Sequence, residues 1–306
     1  MGFLLLIQYG PVVAGLLLAV GASFARRRSW VSLPSRVRVV TAVGMALALA
    51  MTIIFAVWRA SPAWRLDLGA DTFEIVHLLT YLVPLALTCI ALIFLIAPMP
   101  TPGPQGSAEL APRTLLTFTS RLWLRTAISV VIAVVAVSIL AGLASSPDDA
   151  GRYLIYTVKV SANLSSGTMI YGWWYSVPCL IAVAIIVVLT VLALVLVSRP
   201  ALASNRQRDV SIRTTRVRNV LMVMTGGLLL HLGAILSSLY GASTLHTSFD
   251  AGQIGTIELG TSFAAIGPAL QIASAGSTIL GMSLWWSTLL SVSHAPLRQL
   301  DQSVSR

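Results

Sequence analysis

Apolar residues run along this chain in seven unbroken stretches, approximately 2–24, 37–58, 75–97, 123–144, 176–198, 219–241 and 267–292. Each exceeds twenty residues, enough at about 1.5 Å rise per residue to cross a hydrocarbon core of roughly 30 Å. The runs are continuous and lack the two-residue alternation of a membrane barrel, so helices are predicted. The expected fold is an all-α integral membrane protein, a polytopic bundle of about seven transmembrane helices in one domain over 1–306.

Polar positions orient that bundle. The stretch Arg199–Asn219 holds six arginines and one acid between two apolar runs. Loops of this kind accumulate on the cytoplasmic side, because several guanidinium groups do not cross hydrocarbon together. Placing it inside puts the N-terminus outside and the C-terminus inside. Sixteen of the twenty basic residues then fall on the cytoplasmic side, and seven of the ten acids fall outside. The chain is 57% hydrophobic and 10% charged with net charge +10. A soluble domain carries about 25% charged residues. The positive charge sits in short segments beside apolar runs, which fits topology and anionic headgroups rather than nucleic acid.

Nineteen of the basic residues are arginine and one, Lys159, is lysine. With abundant Ala, Val and Leu, this bias suggests a high-GC bacterial genome and hence a multi-pass protein of the inner, cytoplasmic membrane. The cluster Arg26-Arg27-Arg28 follows the first apolar run instead of preceding it, so that run reads as a retained helix, not a cleaved signal. Cys89 and Cys179 lie inside predicted helices without metal or redox spacing.

Three helices begin with similar phrases, SRVRVV at 35–40, SRLWLR at 120–125 and TRVRNV at 215–220. Four others carry an early proline: Pro11, Pro84, Pro178 and Pro268. A repeating helical hairpin accounts for both, although such phrases are also common at membrane-helix ends. Between the helices, 98–113 is rich in proline and glycine and reads as a flexible cytoplasmic linker. The extracytoplasmic loop 146–175 has two β-prone runs around SANLSSG, the pattern of a hairpin lid. Its Tyr171, Trp173, Trp174 and Tyr175 match an interfacial aromatic belt. Asn163 opens a glycosylation sequon of little meaning in a bacterial chain.

Ionisable groups at membrane depth are the usual functional pointers. Glu74 and His77, three apart on one helical face, form a candidate proton or cation pair, or a merely hydrated interfacial one. His231 lies near the middle of the sixth run and needs a polar partner there. Gln271, Ser274 and Thr278 on the last helix and Thr88 on the third are candidates, and together these residues outline a substrate or proton pathway. Ala269, Ala273, Ser277 and Gly281 recur every four residues and read as a helix-packing seam. Gly226-Gly227 either loosens its helix or admits a neighbour. Arg121, Arg125, Arg206, Arg208, Arg213, Arg216 and Arg218 form a candidate docking surface for a cytoplasmic partner such as an ATPase.

No phosphate-binding loop, HExxH, GxSxG or spaced Cys/His set occurs in the sequence, so no catalytic residue, cofactor or metal site is expected. These features favour the membrane-spanning, permease-like subunit of a transport system for a small or amphipathic molecule, energised by a partner or a gradient. A non-catalytic scaffold or accessory subunit of a larger membrane complex is the alternative. A haem-binding electron-transfer subunit using His77 and His231 is a second.

Overall fold

A computed structural model describes residues 2–26, 33–60, 70–96, 118–161, 164–198, 206–250 and 256–293. The linker 98–113, Asn163 and positions 199–205 lie outside the described residues. In chain order the helices are α1 (Gly2–Arg26), α2 (Ser35–Ala60), α3 (Ala70–Ile96), α4 (Arg121–Leu143), α5 (Trp173–Ser198), α6 (Arg206–Ser243) and α7 (Gly267–Ser293). Six of them are long and apolar enough to cross a membrane, and within α1 the stretch Gly10–Ala25 is a shorter apolar helix. The protein is therefore a helical membrane bundle.

Among the described residues, strands occur only in two loops. Between α4 and α5, β1 (Ser146–Pro147), β2 (Tyr153–Ser161) and β3 (Leu164–Met169) form an antiparallel sheet in that order. Between α6 and α7, β4 (His246–Asp250) pairs antiparallel with β5 (Thr256–Gly260). The β-prone runs of 146–175 thus do form a hairpin. Tyr156 of β2 joins the two loops: its hydroxyl lies 2.8 Å from Ser262 Oγ and its ring packs edge-on to Phe263. Both loops therefore sit at one end of the bundle, called here the hairpin end.

The sixth helix begins earlier than the apolar pattern predicts, at Arg206 instead of 219. Residues 206–219 contain neither proline nor glycine, Arg and Gln favour helix, and Asp209 suits a first turn. Most of the arginine-rich stretch is thus helix, not loop. This long α6 is the centre of the bundle, packing against α3, α4, α5 and α7. Arg213, Arg216, Asn219, Thr225 and His231 are buried along it.

Glycines set how closely α6 meets its neighbours. Trp285 of α7 lies where a Cβ on Gly226 would stand, and its indole donates to Val223 O at 3.1 Å. Thr88 of α3 fills the space beside Gly227, its Oγ1 only 1.7 Å from where that residue's Cβ would be. Gly226-Gly227 therefore admits two neighbours on adjacent faces. On α7, Gly281 meets Gly226 O and Leu230, whereas Ala269 and Ala273 are exposed and Ser277 is half-buried. The four-residue ridge is a seam only at its Gly281 end. Between helices in lipid, such close backbone approach supplies the packing that hydrophobicity cannot.

Candidate functional site

A tyrosine–histidine cluster lies beneath the β2–β3 hairpin, between α3, α5 and α6. His231 is 0% exposed. Its Nδ1 lies 3.0 Å from Tyr81 O on α3, and its Nε2 lies 3.4 Å from the Tyr171 hydroxyl just before α5. The Tyr81 ring stands 4.6 Å from Tyr171 and 5.3 Å from Tyr175, centroid to centroid, and Tyr171 stands 5.9 Å from the imidazole. Both ring nitrogens of His231 are thus occupied from two different elements, which answers the cost of a polar group in hydrocarbon. The buried Tyr175 hydroxyl makes no hydrogen bond among the described residues. Tyr171 and Tyr175, four apart, turn inward, so only part of the expected aromatic belt faces outward: Trp174 is exposed and Trp173 covers Gly142.

The expected partners of His231 are elsewhere. Gln271 is exposed, Ser274 donates to Gly233 O at 2.8 Å, Thr278 donates to Ser274 O at 3.0 Å, and Thr88 donates to Pro84 O at 2.6 Å. The reason is rotational. Gly233 faces α7, and His231, two residues back, is turned by about 200° to the opposite side. His231 is instead four residues after Gly227 and shares its α3-facing surface.

The hairpin is clasped over this cluster. Arg152 donates from its backbone N–H to Asp148 Oδ1 (2.7 Å) and from Nε to Asp148 Oδ2 (2.9 Å). The same guanidinium donates from Nη2 to Glu74 Oε1 at 2.7 Å and pairs through Nη1 with Glu74 Oε2. It also lies 5.7 Å from the centre of the Trp174 ring. The backbone N–H of Arg152, followed by its guanidinium, holds the Asp148 carboxyl below the usual carboxylate range. Gly151, with φ of 80°, turns the chain so that Asp148 and Arg152 meet. Glu74 is thereby engaged by Arg152, while His77 Nδ1 lies 2.9 Å from its own helix at Phe73 O. The two are not brought together as a proton pair.

At the opposite end, two arginines of α6 close other helices. Arg213, 0% exposed, bonds Asp209 at 2.8 Å and donates to Val197 O and Ser198 O, the last carbonyls of α5. Arg216, 7% exposed, donates to Leu95 O in the last turn of α3 at 2.8 Å. Terminal carbonyls lack intrahelical donors and carry the negative end of the helix dipole, so a guanidinium suits them. These two arginines are buried, which removes them from any docking surface; Arg121, Arg125 and Arg208 are exposed and Arg218 is half-buried. Arg206 opens α6, and its side chain lies outside the described residues. The one sequence signal for the inward turn is the i, i+4 spacing of Asp209 and Arg213.

Compared with family models, curated proteins and solved structures, the chain finds no match.

Proposed function

We propose that this protein is the membrane-spanning, permease-like subunit of a transport system for a small or amphipathic molecule, energised by a partner or a gradient. In this reading it spans a bacterial cytoplasmic membrane seven times, N-out and C-in, with the hairpin end outside. The observation that carries the reading is the buried His231–Tyr171–Tyr81–Tyr175 cluster, drawn from three elements and covered by a hairpin clasped by Arg152 and by the Tyr156 contacts. Structural cores in lipid rarely spend an imidazole and three phenols in one place, and intramembrane polar groups mark pathways. Opening would pass through release of Arg152 from Glu74 and movement of the hairpin, which exposes the cluster from outside. The closed arrangement corresponds to one end of such a cycle.

The test is flux in proteoliposomes made from the protein with its co-purifying partners, using ethidium and a fluorescent amphipathic phospholipid as probes. Wild type is expected to move a probe; His231→Ala is expected to abolish movement at unchanged expression. Flux in the variant equal to wild type removes His231 from the pathway.

A second reading, an accessory or scaffold subunit, is favoured by one observation: Ala269, Gln271 and Ala273 leave one end of α7 exposed. A contact surface for another subunit would cover such a face. Stoichiometric partners in native-membrane purification without any probe flux would select it. The haem reading requires His231 to surrender Tyr171 or Tyr81; a Soret band in the purified protein would restore it.

A further inference from the structure

The clasp at the hairpin end holds a cation, and that cation is the protein's own side chain. Arg152 sets a planar guanidinium against two carboxylates: Nη1 and Nη2 fork onto Glu74, while Nε and Nη2 meet Asp148 Oδ2 at 2.9 and 2.8 Å. The Trp174 ring lies 5.7 Å from the guanidinium carbon, within range of a cation–π contact. Together these three charged side chains carry one net negative charge.

The site is neither closed nor finished. The Arg152 side chain is 24% exposed and Trp174 44%, so both are reachable from outside the fold. Tyr175 is 1% exposed and stands in the field of the same three charges, Glu74, Arg152 and Asp148. Its buried hydroxyl makes no hydrogen bond among the described residues. Buried hydroxyls otherwise find partners, so this one points to a group that Arg152 does not supply. An apolar row leads away from the clasp. Trp174, Val177 and Ile181 follow one another at i, i+3 and i+7 on one face of α5, and all three are exposed.

We infer that the clasp recognises an amphipathic guanidinium compound, whose head displaces Arg152 from Glu74 and lies against Trp174, and whose tail follows Val177 and Ile181. The planar fork that meets a carboxylate at two points and stacks on an indole belongs to guanidinium, not to ammonium. The ligand's further N–H groups reach the Tyr175 oxygen. Arg152 is then a tethered competitor, keeping the hairpin closed until a molecule with the same head takes its place. This deepens the transport reading by naming the class of molecule admitted and rests on it for that use; binding itself is measured without flux.

The test is binding of radiolabelled octylguanidinium to the protein in phosphatidylcholine nanodiscs, with octylurea as the neutral compound of the same shape. Wild type is expected to bind octylguanidinium saturably, one per chain, and not to bind octylurea. Arg152→Ala removes the competitor, so affinity should rise about tenfold. Glu74→Gln removes the anchoring charge and should lower it about tenfold. Both variants break the same tie, so a merely structural clasp would move them together. Equal binding of octylurea, no saturable binding, or shifts in the same direction for the two variants each overturns the assignment. Saturable binding with no flux of either transport probe keeps this site and removes the transport reading; flux without binding does the reverse.

Discussion

Arg152 grips Glu74 across 78 positions of sequence, and the same guanidinium holds Asp148 four residues before it. One side chain thus ties the turn leading into β2 to the first helical turns of α3. Removing it takes from both carboxylates the cation they share.

Arg152→Ala is therefore expected to free the hairpin without unfolding the bundle. Amide exchange over residues 153–169 should rise about tenfold, while exchange in α5 and α6 stays unchanged. Protection of 153–169 equal to wild type would show that the Tyr156 contacts to Ser262 and Phe263 hold the hairpin alone.

Acid acts on the same clasp. Because the folded structure lowers the Asp148 pKa, its contribution is fully present above the ordinary carboxylate value of about 3.9. It is lost as pH falls below that value and through the folded one. Hairpin protection is expected to stay flat from neutral pH to about 4 and to fall only below it. Exchange measured across this range checks the sign; loosening between pH 7 and 5 would assign control to another group.

Arg213 and Arg208 share a helix but not a role. Arg213→Met breaks the buried pair with Asp209 and takes a donor from the terminal carbonyls of α5, at a cost of about 3–5 kcal/mol by analogy with other buried pairs broken on one side. Arg208→Met, at an exposed position, should stay within about 0.5 kcal/mol. Denaturation in detergent micelles compares the two, and equal effects would contradict the capping role.

Gly227→Ala places a methyl 1.7 Å from Thr88 Oγ1. Overpacking of this kind costs about 1–3 kcal/mol. Thr88→Ala in the same chain removes the hydroxyl and leaves a 2.8 Å approach to Cβ, so part of the loss in Tm should return. No recovery in the double variant would mean that α3 and α6 do not meet there.

Hydrophobic runs made the bundle legible, because crossing lipid requires twenty apolar residues whatever they pack against. The hairpin was legible too, since β-branched residues around SANLSSG report a local preference. The start of α6 was not: a positive-inside count cannot distinguish a loop from a helical turn, and residues 206–218 are equally basic in both. His231 stood out as a polar residue at depth, yet its partners did not. Tyr81 contributes a backbone carbonyl, which no side-chain pattern encodes, and Tyr171 looked like an interfacial anchor. The phase of α6 held the missing information. Gly226 and Gly233, seven apart, mark the face against α7, while Gly227 and His231, four apart, mark the face against α3.

Three glycines leave almost no slack between backbones. Gly15 stands against Ile279 O and Met282 of α7, Gly226 against Trp285, and Gly281 against Gly226 O. Rows so tight cannot slide past one another, so α1, α6 and α7 must travel as a single slab. Where that slab meets α3, a threonine hydroxyl stands against Gly227, and two side-chain bonds to main chain, His231 to Tyr81 O and Arg216 to Leu95 O, would have to break to part it. Any rearrangement of the bundle has its natural dividing line there, along Gly227 and Thr88.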